Sequence, residues 1–127
     1  MTYYLLDSNV SVRVLYARHK IAANVRAVLE NQNSKFFYSV ISLWELVNKT
    51  ALERLVFNLK DFDTLAERSK WEMLMPTRDI YLASTWLPWL HRDPFDRVII
   101  MQAAEKDLTI LTSERKFENH GIKVIQG

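Results

Sequence analysis

The chain has 127 residues, of which 49% are hydrophobic and 25% charged, with two glycines and three prolines. This composition is typical of one compact domain and excludes a fibre, a linker or a disordered tail. The absence of cysteine excludes thiol catalysis, cysteine-bound zinc, iron–sulfur clusters and disulfide bonds. A formal net charge of +2 is too small to indicate nucleic-acid binding by itself.

The hydropathy pattern predicts a soluble, cytoplasmic protein without a membrane partner. The first seven residues have no basic segment followed by a long apolar stretch, so we expect no signal peptide. No window approaches the run of about 18 apolar residues that a membrane span needs. Repeats and flexible linkers are also absent from the sequence, which predicts a single domain over residues 1–127.

Short β-prone runs alternate with segments whose apolar residues recur at helical spacing. In chain order we predict strand 3–6, helices 10–15 and 21–29, strand 35–38, helices 42–52 and 62–71, strand 73–76, helices 79–86 and 94–106, and strands 108–112 and 123–125. This alternation favours an α/β protein, a three-layer α/β/α domain with a central parallel sheet. In such sheets, ligands bind beyond the carboxyl ends of the strands, where the strand order reverses.

Acidic residues recur just beyond a predicted strand or in the first turn of a predicted helix: Asp7, Glu45, Asp93, Asp96 and Glu114. Taken singly, each has a structural explanation as a helix cap or as an acid favoured by the helix dipole. Glu45 completes a Ser42-x-x-Glu45 capping box, and Asp93 caps a helix that Pro94 opens. The local pattern therefore leaves a structural and a functional interpretation open for every one of them.

The carboxyl ends of parallel strands lie at one edge of the sheet, so we expect these acids to meet there. Two carboxylates about 4 Å apart repel by roughly 4 kcal/mol at an effective dielectric constant near 20, so a cluster needs a cation or shifted pKa values. Mg²⁺ or Mn²⁺, which prefer oxygen ligands, are the natural partners. Helix N-termini facing the same edge would also help to hold a phosphate.

Four blocks of the sequence carry a family resemblance: YLLDSNV (4–10), ISLWEL (41–46), HRDPFDR (91–97) continuing to IMQA (100–103), and LTSERKF (111–117). In order and spacing they resemble the motifs of PIN-domain proteins, and the most similar group is the VapC-type toxins of bacterial type II toxin–antitoxin systems. The match spans essentially the whole chain, and residues 91–104 are its most specific part. The resemblance implies a single PIN-like nuclease domain over residues 1–127.

The resemblance further implies a metal-dependent endoribonuclease that hydrolyses RNA phosphodiester bonds with a water activated by Mg²⁺ or Mn²⁺, leaving a 5′-phosphate and a 3′-hydroxyl. Asp7, Glu45 and Asp96 match the first three acids of the family, and Glu114 stands where Asp is usual. We expect Asp7 and Asp96 to bind the metal, Glu45 to bind it or to orient the water, and Glu114 to act as an outer partner. Toxins of this type typically form homodimers and are neutralised by a small antitoxin protein, which gives RNA, antitoxin and a second copy as the implied partners.

Further residues are matched to supporting positions by the same resemblance. Ser8 and Thr112 match hydroxyl positions beside the acids, and Asp93 matches a recurrent acid that we interpret mainly as a cap. Asn9 departs from the His often found at its position, and we assign it no chemistry. The longer Glu114 side chain would shift the geometry around a second metal.

Basic and aromatic residues carry weaker expectations. Arg97 is a candidate phosphate contact, with a surface ion pair as the alternative. Arg13 is a candidate RNA contact within a basic patch that a solvated surface would also explain; the patch comprises Arg13, Arg18, His19 and Lys20. The four tryptophans are interpreted as core or interface residues, the segment 87–90 as a partner surface, and His91 as a hydrogen-bonded loop residue.

Two other interpretations remain. A phosphatase of the haloacid-dehalogenase type needs a second Asp two residues after Asp7, where this chain has Asn9, and a phospho-accepting receiver needs paired acids and a late Lys that are not evident. The alternative to the nuclease is a catalytically degenerate PIN fold that binds RNA or protein and keeps its acids as caps.

Overall fold

In a computed structural model, which describes residues 1–86, 93–117 and 121–127, helices cover both faces of a five-stranded sheet. The strands are β1 (Thr2–Leu6), β2 (Ser34–Ser39), β3 (Glu72–Leu74), β4 (Thr109–Thr112) and β5 (Val124–Gln126). The helices are α1 (Ser8–Tyr16), α2 (Ala23–Glu30), α3 (Val40–Ala51), α4 (Leu59–Ser69), α5 (Arg78–Ser84) and α6 (Pro94–Lys106). One-turn 3-10 helices lie at Arg18–Lys20 and Arg115–Phe117.

The strand order is β3-β2-β1-β4-β5, and every pairing is parallel. The chain therefore runs from β1 outward through β2 to β3 and then returns to the other side of β1 with β4. This reversal of strand order lies between β1 and β4, whose carboxyl ends form the expected position for a ligand site. The predicted three-layer α/β/α architecture with a central parallel sheet is confirmed.

Alternate residues of β1 face the two halves of the core. Leu6 packs with Val10 of α1 and Phe62 of α4, whereas Leu5 packs on the opposite face with Ile99 of α6. Burial of one such side chain contributes roughly 1.5–3 kcal/mol. Packing on both faces holds β1 rigidly, and the residue that follows it is Asp7.

Helix α3 begins three residues earlier than the capping-box pattern predicts. The Ser39 hydroxyl accepts a hydrogen bond from the Ile41 backbone N–H at 3.1 Å, so Ser39 is the N-cap. The predicted cap at Ser42 is wrong, because β2 runs directly into α3 and the helix starts at Val40. Glu45 therefore lies one turn inside the helix, where it has no capping role.

The predicted helix 62–71 is also displaced. It begins at Leu59, where the Asn58 side chain caps it by accepting from the Asp61 backbone N–H at 3.1 Å. It ends because Lys70 adopts a left-handed conformation, with φ of 58°. Trp71 consequently leaves the helix and packs into the core.

Of the tryptophans interpreted as core or interface residues, Trp71 lies in the core, whereas Trp44 and Trp86 lie at the surface. The exposed fractions of Trp44 and Trp86 are 55% and 86%. Trp89, His91 and His120, with the rest of the segment 87–90, lie outside the described residues. Within the described ranges, no helix has the length and apolar character needed to cross a membrane.

Candidate functional site

Asp7 lies directly beyond β1 and is held between α1 and β4. Its backbone N–H donates to the Leu111 carbonyl at 3.0 Å. One carboxylate oxygen, Oδ1, accepts from the Ser8 backbone N–H at 2.9 Å, and Oδ2 accepts from the Thr112 hydroxyl at 2.9 Å. Only 1% of the residue is exposed. Asp7 is thus both the N-cap of α1 and a buried carboxylate at the carboxyl edge of the sheet.

Three acids from α3 and the start of α6 come together beside this edge. Glu45, Asp93 and Asp96 each offer a carboxylate oxygen, and these oxygens lie within 4.8 Å of one another. Asp93 caps α6 by accepting from the backbone N–H groups of Phe95 at 2.8 Å and Asp96 at 3.4 Å. We call Glu45, Asp93 and Asp96 the acidic triad. A donor set made only of carboxylate oxygens fits a hard divalent ion such as Mg²⁺ or Mn²⁺.

Ser8 connects Asp7 with the acidic triad. Its backbone N–H binds Asp7, and its hydroxyl donates to Glu45 Oε1 at 2.9 Å. The other Glu45 oxygen, Oε2, lies 3.8 Å from the Lys49 ammonium one turn further along α3. Because Glu45 is buried, these donors restrict the orientation of its carboxylate.

Lys116 inserts its ammonium group among the acids. Its Nζ lies 3.2 Å from Asp96 Oδ1, 3.3 Å from Glu114 Oε2 and 3.6 Å from Asp7 Oδ2. Sequence reasoning assigned Lys116 no role, although it belongs to the LTSERKF block. The available signal was its place two residues after Glu114, but that spacing does not indicate in which direction the side chain points.

Burial dominates the titration of the two innermost acids. It raises the pKa of Asp7 above its ordinary value, although Lys116, Thr112 and the Ser8 N–H act in the opposite direction. Burial also raises the pKa of Asp96 to about 7, with Lys116 opposing and the neighbouring Asp93 and Asp7 carboxylates reinforcing the rise. The site therefore concentrates negative charge that the surrounding protein does not fully compensate.

The pKa of Glu114 is lowered and that of Lys116 is raised, so both shifts favour the charged form of the side chain. Partial burial acts to raise the pKa of Glu114, but the Asn9 amide and the Lys116 ammonium outweigh it and lower the pKa. Burial acts to lower the pKa of Lys116, but Asp7, Asp96 and Glu114 outweigh it and raise the pKa. Lys116 is therefore a permanent cation of the site at neutral pH.

The structure places the other predicted residues as follows. The Thr112 hydroxyl donates to Asp7 and accepts from the Glu114 backbone N–H at 3.0 Å, so it joins two of the predicted acids. Asn9 links α1 to the loop after β4, because its Oδ1 accepts from the Ser113 backbone N–H at 3.4 Å. Asp7 and Asp96, the two expected metal ligands, both contact the Lys116 ammonium, and of these two only Asp96 belongs to the acidic triad.

The expectation that Arg97 offers its guanidinium at the surface is wrong. The residue is 5% exposed, and its Nε donates to the Ser84 carbonyl at 2.9 Å. Position 97 lies on the side of α6 that packs against α5, which explains the burial. Arg97 therefore joins two helices and does not offer its Nε to a phosphate.

A groove of about 430 Å³ adjoins the site between α1 and α3. Ser8, Asn9 and Glu114 contribute to its lining, as do four basic side chains: Arg13, Lys20, Lys49 and Arg54. A separate cavity of about 490 Å³ is lined by Arg18 and His19 together with Trp71. The predicted basic patch is thus divided, and the Arg13 and Lys20 part of it faces the groove next to the acids.

The fold and the site define a three-layer α/β protein with clustered carboxylates at the carboxyl edge of its parallel sheet. The family model of the PIN domain matches residues 4–123, and the chain belongs to this family. The predicted family resemblance is thereby confirmed. The comparison with curated proteins found no match.

Solved structures with the same fold include several VapBC chains, and one of them, from Mycobacterium tuberculosis, is described as a member of the VapBC family of toxin–antitoxin systems. A chain of VapBC from Salmonella typhimurium, in a DNA-bound structure, has a TM-score of 0.71 at 19% identity, with 99% of this chain and 98% of that chain covered. VapBC2 from Rickettsia felis, bound to a promoter DNA fragment, gives 0.70 at 18% identity, with 98% of each chain covered. VapBC-1 from nontypeable Haemophilus influenzae gives 0.70 at 22% identity, also with 98% of each chain covered.

Proposed function

We propose that this protein is a Mg²⁺- or Mn²⁺-dependent endoribonuclease and the toxin of a type II toxin–antitoxin pair. The observation that carries the proposal is the acidic triad, whose three carboxylate oxygens lie within 4.8 Å of one another in a PIN-domain chain. Glu45 lies within α3, and Asp93 and Asp96 lie at the start of α6. Helix capping does not require acids from these two helices to lie close together. A divalent ion bound by all three would offset their mutual repulsion.

In the proposed reaction, Glu45, Asp93 and Asp96 hold the ion. A bound Mg²⁺ or Mn²⁺ supplies Lewis-acid polarisation of the scissile phosphate and lowers the pKa of a water molecule at the site. Asp7, fixed by Ser8 and Thr112, adds a fourth carboxylate that orients the attacking water. Water would lose a proton as its oxygen bonds to phosphorus, the bond from phosphorus to the 3′ oxygen would break, and that oxygen would take up a proton, which leaves a 5′-phosphate and a 3′-hydroxyl.

The groove between α1 and α3 is the proposed path of the RNA backbone. Arg13, Lys20, Lys49 and Arg54 line it, and Glu114 and Ser8 lie where it meets the site. Cations along such a groove bind phosphates without reading the base sequence, so they would orient a strand toward the acids. Arg13 therefore keeps its proposed role as an RNA contact.

The proposed partners follow from the same assignment. Structures of similar chains are described as VapBC assemblies, and another is described as a toxin–antitoxin complex from Klebsiella pneumoniae. We include a small antitoxin protein and a homodimer in the proposal, and the exposed apolar side chains Tyr81, Leu82 and Trp86 at α5 are consistent with an interface. Because cellular RNA is the proposed substrate, the proposed site of action is the cytoplasm.

One observation favours a second candidate, a catalytically degenerate PIN fold that binds RNA or protein. The Lys116 ammonium contacts three of the predicted catalytic acids and supplies part of the positive charge that a metal would supply. In this alternative the acids serve as caps and ion-pair partners. Metal-dependent chemistry distinguishes the two candidates.

The test is cleavage of a panel of structured RNAs by the purified protein with Mn²⁺, Mg²⁺ or EDTA. Asp7→Asn and Asp96→Asn remove one negative charge each, and Asp79→Asn is the matched control, because Asp79 is exposed and pairs with Arg78 on the surface. We expect cleavage that requires metal and falls more than about 100-fold in the two site variants, since even indirect partners of a metal contribute 10–100-fold. The control should cleave like the unmodified protein.

Two results together would refute the nuclease assignment. If no RNA is cut with either metal, and Mn²⁺ binding is the same in the unmodified protein and in Asp96→Asn, the nuclease assignment fails. Retained RNA or protein binding would then support the binding-module alternative.

A further inference from the structure

We infer that Lys116 is an internal counter-ion that competes with the divalent ion for Asp96 and thereby sets the metal affinity of the site. The inference rests on the metal site of the proposed function. It concerns a residue of this chain whose ammonium lies 3.2 Å from Asp96 Oδ1. Asp96 also belongs to the acidic triad, so one carboxylate serves two cation positions.

The shared carboxylate makes the two cations mutually unfavourable. Asp96 is buried, and charges in such surroundings interact more strongly than they do in bulk water. An ammonium that stays on Asp96 repels an incoming divalent ion. It also occupies a carboxylate oxygen that would otherwise bind that ion. The ion therefore binds at full strength only when the Lys116 ammonium moves away.

The turn that carries Lys116 provides a place for this movement. Phe117, the next residue, is completely buried and fixes the backbone of the turn Arg115–Phe117. The lysine side chain itself is 20% exposed, and it already contacts Glu114, whose side chain is 51% exposed, at 3.3 Å. A four-carbon side chain can turn from Asp96 toward Glu114 without a change in the fold.

Glu114 is suited to receive the displaced ammonium. Its side chain is longer by one methylene than the Asp usual at this position of the resemblance, and it reaches Lys116 at the edge of the site. The departure from the family pattern and the unassigned lysine are thus explained together. Without metal, Lys116 contacts Asp96, Asp7 and Glu114 together; when the divalent ion binds, it gives up Asp96 and Asp7 and keeps Glu114.

The direct test is Mn²⁺ affinity measured by isothermal titration calorimetry on the full chain at about pH 8, where carboxylates are mostly ionised. Lys116→Met removes the charge and keeps the apolar length, and Lys116→Arg keeps the charge. Lys123→Met is the matched control, because Lys123 pairs with Asp107 on the surface at 3.7 Å. Circular dichroism of each variant establishes that it is folded.

We expect Lys116→Met to bind Mn²⁺ about tenfold more tightly or better, as expected when a nearby like charge is removed. Lys116→Arg should stay within about threefold of the unmodified protein, and Lys123→Met should not differ from it. An unchanged or weakened Mn²⁺ affinity in Lys116→Met overturns the inference, because Lys116 would then be neutral toward the metal or needed to assemble the site.

A second measurement uses the unmodified protein and does not depend on variants that fold. In a Mg²⁺ titration followed by NMR of ¹³C-labelled lysine side chains, the Cε signal of Lys116 should shift with metal occupancy while that of Lys123 stays in place. A Lys116 signal that is unaffected at saturating Mg²⁺ overturns the displacement. If neither ion binds the unmodified protein or Lys116→Met, the metal site itself fails, whereas equal binding to both refutes the competition alone.

Discussion

At the scale of single residues, Asp96 is the group on which the site depends most. It is 2% exposed, it belongs to the acidic triad, and burial raises its pKa to about 7. A buried acid with a raised pKa binds its proton more tightly in the folded chain than in the unfolded chain. The stability that this residue contributes is therefore complete below about pH 4 and is lost as the pH rises through 7.

The resulting prediction concerns unfolding in the presence of EDTA, which keeps metal away. Between about pH 4 and 8, the free energy of unfolding of the unmodified protein should fall relative to that of Asp96→Asn by on the order of 1–4 kcal/mol, because the amide has no charge to bury. Urea denaturation at several pH values measures both curves. Glu67→Gln, which changes an exposed acid of α4, serves as the control and should run parallel to the unmodified protein.

Parallel curves for Asp96→Asn and the unmodified protein would show that the Asp96 carboxyl has an ordinary pKa in the folded chain. Lys116 would then compensate its charge completely. That result would also remove the electrostatic reason for a metal at the acidic triad.

Some side chains of the site could be placed from the sequence, and others could not. Asp7, Ser8 and Thr112 could be placed together, because two of them follow β1 and the third ends the neighbouring strand β4. Lys116 could not be assigned, because a long side chain on a short turn has several rotamers and only packing selects one of them.

At the scale of elements, the start of α6 combines two tasks. Asp93 caps the helix through the Phe95 and Asp96 backbone N–H groups and also contributes an oxygen to the acidic triad. Pro94 at the first helical position fixes the backbone for this arrangement. The sequence-based interpretation of Asp93 as mainly a cap agrees with its hydrogen bonds to α6. Its part in metal binding remains a proposal.

Two substitutions separate these tasks. Asp93→Asn keeps a good N-cap, so the free energy of unfolding should change by less than about 0.5 kcal/mol, whereas Asp93→Ala should lose about 1 kcal/mol. Both should weaken Mn²⁺ binding by about tenfold or more, because both remove a negative charge from the triad. Urea denaturation and calorimetry provide the two readouts.

The cap of α4 supplies the matched control for this experiment. Asn58→Ala removes a comparable cap, whose side chain accepts from the Asp61 N–H, on a helix that contributes no residue to the triad. It should cost about 1 kcal/mol and leave Mn²⁺ affinity unchanged. If Asp93→Asn bound Mn²⁺ as tightly as the unmodified protein does, Asp93 would act only as a helix cap.

Element boundaries were predictable where a strong cap was present and less so where a strand runs into a helix. The Asp93–Pro94 pair gave α6 its correct start at Pro94. The capping-box pattern misplaced α3, because Ser39 and Ser42 both resemble caps and only the end of β2 decides between them. The helical spacing likewise extended into Trp71, since a left-handed Lys70 is not evident from hydrophobic periodicity.

At the scale of the whole molecule, topology brings the acids together. Alternating strands and helices predicted a parallel sheet, and the reversal of strand order between β1 and β4 places Asp7 beside Thr112. The same topology brings α3 and α6 into contact, which joins Glu45 to Asp93 and Asp96. The meeting of the acids was thus predictable, but which of them form the triad and which contact Lys116, with Asp96 doing both, depends on side-chain packing.

The proposed function requires that Glu45, Asp93 and Asp96 jointly bind a divalent ion. The most direct measurement is an anomalous difference map from a crystal of the full chain grown or soaked with Mn²⁺. If the three acids share the ion, we expect a peak about 2–2.4 Å from one carboxylate oxygen of each of them. An empty triad at saturating Mn²⁺, or a peak whose ligands exclude Glu45 and Asp93, would show that these residues do not form the metal site.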